Sequence, residues 1–149
     1  MTGYKAYQGN QVEGSGPLGL ILLTYEAMAK SLARAHRAIE AGDLAAEADH
    51  TSRAMEAIIE LSNSLNMEAG GEVAKNLAAV YAYIFKRLSE GMCSSSTSHI
   101  KECIQLVQTL RDGWQQLANE QKRSASQAAS GARQAAEHRE PVQVTSYAA

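Results

Sequence analysis

Apolar residues recur along this chain at helical spacing, in four stretches separated by short polar or glycine-bearing gaps. The first stripe runs Leu18, Ile21, Tyr25, Met28, Leu32, Ala35, Ile39, alternating three and four residues apart. That is one face of an α-helix sustained over three heptads. Leu20, Leu22, Leu23, Ala27 and Ala29 widen it, so the start of this helix is expected to be covered on more than one side. Pro17 suits its first turn, where the missing N–H is no loss. Gly42-Asp43 then stops the helix and offers an N-cap for the next.

The second helix is predicted from about Leu44 to Leu65, with a stripe of Ala48, Thr51, Met55, Ile58, Leu61 and Leu65. Asn66 is the next cap candidate, and Glu68 supports a new first turn. Gly70-Gly71 fall inside that turn, where they weaken a helix and so need a reason. Val73, Leu77, Val80, Tyr81, Ile84 and Leu88 form the third stripe, which Gly91 and the Ser94–Ser98 run are expected to end. Ile100, Cys103, Ile104, Val107, Leu110, Trp114 and Leu117 form the fourth, with Ser96, Thr97 or Ser98 as its cap.

Four amphipathic helices joined by short loops must alternate in direction. The prediction is an all-α fold, an antiparallel four-helix bundle over residues 17–120. Residues 1–16 are polar and glycine-containing and read as an extended N-terminal arm. Residues 121–149 have no large apolar residue before Val142 and read as a mostly disordered C-terminal tail, loosely helical at best.

Composition narrows the function classes. With 149 residues and 45% hydrophobic content, the chain can bury one sizeable core. A formal net charge of −2 supplies no basic field for nucleic acid. The opening residues lack the layout of a signal peptide, and the apolar run Leu18–Leu23 is far too short for a membrane span. A cytoplasmic protein without stable membrane insertion is expected. The two cysteines, Cys93 and Cys103, read as free thiols.

No catalytic constellation stands out. A di-iron bundle needs two Glu-x-x-His motifs and two further inward glutamates. This chain has one such spacing, Glu47 and His50, which also reads as a solvated helical face. His36 could serve phosphotransfer in a bundle, but Arg37 and Ala38 follow it where lysine and glycine would suit a phosphate; it also reads as an ordinary surface histidine. A phosphotransfer or metal-binding bundle using His36 or Glu47/His50 is the alternative to a binding protein. The expectation is no enzyme and no cofactor. What remains is apolar and aromatic surface. Of six tyrosines, four lie in two pairs, Tyr4/Tyr7 and Tyr81/Tyr83. A ring with a hydrogen-bonding tip suits a surface that is covered and uncovered.

These residues resemble a known family. Tyr4-Lys5-Ala6-Tyr7, Gln11-Val12-Glu13 and Pro17-Leu18-Gly19-Leu20 are similar to the opening of the flagellar secretion chaperone FliS family. Tyr25-Glu26, Ala35, Ile39-Glu40 and Gly42-Asp43 continue it. So do the segment from Leu65-Asn66-Met67-Glu68-Ala69-Gly70-Gly71 to Asn76-Leu77, then Tyr81-Ala82-Tyr83-Ile84, Arg87-Leu88 and Trp114. The chain departs from the family pattern at Gly16-Pro17 (usually Ser-Pro), Thr24-Tyr25 (Leu-Tyr), Ala82 (aspartate) and the serine-rich Met92–Ser96 loop.

The resemblance implies a small helical bundle in the bacterial cytoplasm that binds the C-terminal segment of flagellin. That client, disordered when free, turns helical around the bundle and is delivered to the flagellar export gate. The expected partner-binding residues are Tyr4, Tyr7, Val12, Tyr25, Leu61, Leu65, Met67, Gly70, Gly71, Asn76, Leu77, Tyr81, Tyr83 and Ile84. Tyr7 and Val12 are expected to occupy part of the client groove in the free protein. Gly71 is expected to stay bare for an approaching backbone, so that a larger side chain there would not harm stability. A monomer or weak homodimer is expected; a third reading is a purely structural dimer that hides its apolar surface against itself.

Overall fold

The computed structural model describes the backbone of residues 2–137 and the side chains of residues 16–136. Val142 and the remainder of the tail fall outside the described residues. The chain forms α1 (Thr2–Ala41), α2 (Leu44–Asn63), α3 (Met67–Ser94) and α4 (Thr97–Glu137), with no strand among the described residues. The all-α bundle predicted from the stripes is the fold observed.

Each turn between helices has a local chemical cause. Gly42 adopts φ 71°, and the Gly42 and Asp43 N–H groups donate to Ile39 (3.1 Å) and Ala38 (2.9 Å), closing α1 with a left-handed cap. The Asp43 carboxylate then accepts from the Ala46 N–H at 3.0 Å, as the Asn66 side chain does from Ala69 at 3.0 Å at the head of α3. Both caps fall where the sequence put them. Ser95, at φ 47°, ends α3, and α4 starts two residues later at Thr97.

Some boundaries and faces differ from expectation. Residues 2–15 are helical rather than extended, and Gly16 breaks α1 with φ 66° and ψ −167°. Gly16-Pro17 therefore separates two helical segments, with Pro17 opening the second. α4 continues to Glu137, through residues expected to be loosely helical at best. Their alanine, glutamine, lysine and arginine side chains have high helix propensity, which outweighs the missing apolar stripe. Gly91 does not end α3: it is buried inside the helix, where an added Cβ would sit 3.0 Å from the Cβ of His99. It lets α3 and α4 approach closely. The buried face of α2 is Glu47, Thr51, Ala54, Ile58 and Leu61, with Ala48 exposed. On α3 Ala74 faces inward, and Val73 is 67% exposed.

The chain divides into compact units Met1–Gln115 and Gln116–Ala149. In the first, Tyr25, Met28, Leu32 and Ala35 of α1 meet Ala54, Ile58 and Leu61 of α2. Tyr81, Ile84 and Leu88 of α3 and Ile100, Cys103 and Val107 of α4 complete one core. In the second unit, residues 119–136 are helical and exposed.

Cys103 is buried, its thiol donating to the Ile84 carbonyl at 3.9 Å, while Cys93 is exposed. Burial pushes the Cys103 thiol up to about 11. The folded chain therefore holds this proton more tightly than the unfolded chain, whose thiols titrate near ~8.5. That contribution is complete below the unfolded value and is lost as pH rises through about 11. Two outcomes are expected. A thiol reagent should modify Cys93 promptly and Cys103 only on unfolding. Urea midpoints measured across the alkaline range should fall more steeply for the native sequence than for Cys103→Ala.

Candidate functional site

Tyr81 and Tyr83, two residues apart on α3, point to different sides because two helical steps turn the chain by roughly 200°. Tyr81 is buried, and its hydroxyl lies 2.6 Å from that of Tyr25 on α1. The indole N–H of Trp114 on α4 donates to the Tyr25 hydroxyl at 3.1 Å, with the Tyr25 and Trp114 rings tilted by 40°. Burial raises both phenols above their ordinary range, so both are neutral at physiological pH.

Tyr83 is 45% exposed and faces α4, where its hydroxyl donates to Glu102. That bond, with the Arg87 guanidinium beside it, holds the Glu102 carboxyl below the usual range; the same bond pushes Tyr83 up. Arg87 also donates to Glu90 at 3.1 Å. Tyr83 thus stands in a polar cluster over the α3/α4 seam and keeps part of its surface exposed.

On the α2 side of α3 the surface opens into a cleft of ≈ 260 Å³ lined by Ile58, Ile59, Ser62, Tyr81, Ala82 and Phe85. Ile58 and Tyr81 are buried and form its floor. Ile59, 47% exposed, and Phe85, 36% exposed, form its walls. The small Ser62 and Ala82 leave it open, and no lining residue carries a charge. The same faces continue toward the α3–α4 loop: Met55, Ser52 and Ala48 follow Ile59 at helical spacing, and Ser89 and exposed Met92 follow Phe85. This furrow on the outside of the bundle is uncharged at the cleft and mixes apolar residues with Ser52 and Ser89 beyond it.

The remaining predicted residues divide by burial. Tyr25, Leu61 and Ile84 belong to the core and present no surface in this state. Leu65 and Leu77 are half-buried; Met67, Gly70, Gly71 and Asn76 are exposed near the start of α3. The side chains of Tyr4, Tyr7 and Val12 lie outside the described residues. Ile59, Phe85 and Ser62 were missed, because stripe reading selects inward positions and treats their exposed neighbours as solvated. The signal was available: Ile59 and Phe85 are large apolar residues beside a stripe that is complete without them.

The residues of the catalytic alternative are placed as follows. His36 Nδ1 pairs with Glu40 at 3.0 Å on one face of α1. Glu47 is buried rather than solvated and accepts from Ser95 Oγ at 3.3 Å, tying the start of α2 to the α3–α4 loop. The described residues hold no group of three or more His, Cys, Asp or Glu able to hold a metal ion, and no helix among them is long and apolar enough to cross a membrane.

The family model for flagellar protein FliS matches residues 1–121 of the chain. The chain belongs to the FliS family. Among curated relatives, the flagellar secretion chaperone FliS of Campylobacter jejuni is 33% identical over 116 residues, covering 78% of this chain and 91% of that protein. The FliS of Salmonella typhimurium is 30% identical, covering 78% and 90%. That of Bacillus subtilis is 29% identical, covering 80% and 89%. FliS membership makes this a chaperone-family fold.

Gly71 has φ 51° and ψ −130°, a conformation open to glycine and costly for any residue with a Cβ, and it breaks α3 after one capped turn. No atom lies within 4 Å of where its Cβ would stand. Gly71 is therefore required by the kink, which corrects the expectation that a larger residue there is harmless to stability. Gly71→Ala should lower stability by about 1–3 kcal/mol, measured by urea denaturation; an unchanged midpoint would show that the kink is dispensable.

Proposed function

We propose that this protein is a cytoplasmic export chaperone that seats the C-terminal segment of flagellin on the α2/α3 furrow, blocks premature polymerisation and hands the subunit to the flagellar export apparatus. The observation that carries this reading is the uncharged cleft between Ile59 and Phe85 on the outside of a FliS-family bundle. A client that is unstructured when free must recover its ordering entropy by burying apolar area. An amphipathic helix laid along a furrow of this kind does so with anchors at three- and four-residue spacing. The absence of charge in the lining selects apolar anchors, and Ala82 in place of the family's usual aspartate extends that selection.

The helical segment 2–15, hinged at Gly16, is the competitor in this scheme. In this scheme Tyr4, Tyr7 and Val12 are the residues proposed to cover part of the furrow until client displaces them. Leu65, Met67, Asn76, Leu77 and Tyr83 widen the contact around the bundle.

Titration of a labelled flagellin C-terminal peptide, followed by anisotropy, tests the site. Ile59→Asp and Phe85→Asp should each weaken binding at least tenfold, about 1.4 kcal/mol, and Ala82→Asp should weaken it less. Wild-type affinity in both wall variants would remove the cleft from the site. Deleting residues 1–14 should speed association in stopped-flow mixing, whereas equal rates would mean that the segment does not cover the furrow.

A further inference from the structure

Tyr81 is the one residue that belongs both to the cleft and to the buried cluster of rings. Its side chain lines the cleft, and its hydroxyl is 2.6 Å from that of Tyr25. Tyr25 is fully buried and cannot touch anything in the cleft, yet it accepts from the Trp114 indole at 3.1 Å. A continuous chain of hydrogen bonds thus runs from the cleft on α3, through α1, to α4. Trp114 sits in the last turn of α4 inside the first compact unit, which ends at Gln115.

We propose that occupancy of the α2/α3 cleft is coupled to α4 through Tyr81, Tyr25 and Trp114, so that filling the cleft changes the surroundings of Trp114. The inference rests on the reading above only for the identity of the natural occupant. Its physical basis is the penalty for breaking the chain. A group that presses on the Tyr81 ring must either carry Tyr25 and Trp114 with it or leave buried hydroxyls unpaired. Close packing of Tyr25 among Met28 and Leu32 of its own helix and the facing core leaves no slack to absorb the motion silently. The linked rings move together, and the effect appears at the far end. Because coupling is reciprocal, a change at Trp114 alters the affinity of the cleft by the same factor.

The chain holds a single tryptophan, so its fluorescence reports this position alone. In a full-length Cys93→Ser background, Ala82→Cys places a thiol in the cleft lining, where N-cyclohexylmaleimide fills the space without absorbing in the tryptophan range. Glu56→Cys, exposed on α2 outside the lining, is the control position. Labelling at position 82 should shift the Trp114 emission, and labelling at position 56 should not. Tyr25→Phe, and independently Tyr81→Phe, should each remove at least half of the shift while circular dichroism confirms the helical fold. An unshifted spectrum after labelling at position 82, or an undiminished shift in both Phe variants, overturns the coupling. A flagellin peptide added to the unlabelled native protein separates the two claims. If the label shifts Trp114 and the peptide does not bind by anisotropy, the coupling stands and the client assignment fails.

Discussion

The mutual position of α1, α3 and α4 depends on three rings, one from each helix, that meet at the edge of the core. Tyr25, Tyr81 and Trp114 bring two hydroxyls and an indole N–H into the interior of the bundle. Polar groups in that position are costly unless they satisfy one another, and removing one partner strands the others. Apolar packing alone discriminates between registers less sharply than a set of buried polar groups that must find one another. The hydrogen bonds allow one register of α1, α3 and α4, and this register leaves Tyr81 as the floor of the cleft.

The outer surface follows from that arrangement. With Tyr81 turned inward, Ala82 and Phe85 are left on the α2 side of α3, and Ile58 pairs with Tyr81 beneath Ile59. Two small residues between two large ones make a depression rather than a ridge. On the opposite side of the same helix Tyr83 meets Glu102 and Arg87, and the seam there is charged and polar. One helix therefore separates the uncharged cleft from a more polar seam. Exposed ion pairs of the latter kind add little stability. Glycine shapes the margins: Gly16 and Gly71 break their helices with positive φ, and Gly91 brings α3 against α4.

Much of this was legible in the sequence. The stripe spacing gave four helices, and Asp43 and Asn66 were readable as caps because their side chains act within three residues of themselves. The double glycine signalled an anomaly that proved to be a break in α3. Less was legible where the cause lies between helices. Nothing near Gly91 in the chain announces His99 as its neighbour, and Glu47 reads as solvated until Ser95 closes over it. Thr51, Ile58 and Leu61 of the predicted α2 stripe are buried, but Ala48 and Met55 each stand one residue away from the buried Glu47 and Ala54, and Ala48 and Glu47 differ in hydropathy in the sense opposite to their burial. For the site, Tyr81 was visible as one of a pair, but Ile59 and Phe85 acquire meaning only once α2 and α3 are side by side.

The central claim is that client binds in the furrow walled by Ile59 and Phe85. Isoleucine methyl NMR on the full chain, titrated with a flagellin C-terminal peptide, tests it most directly. The Ile59 methyl resonance should shift most, with Ile58 beneath it moving less and Ile39, at the far end of α1, unmoved. Saturable peptide binding that leaves Ile59 in place would contradict it.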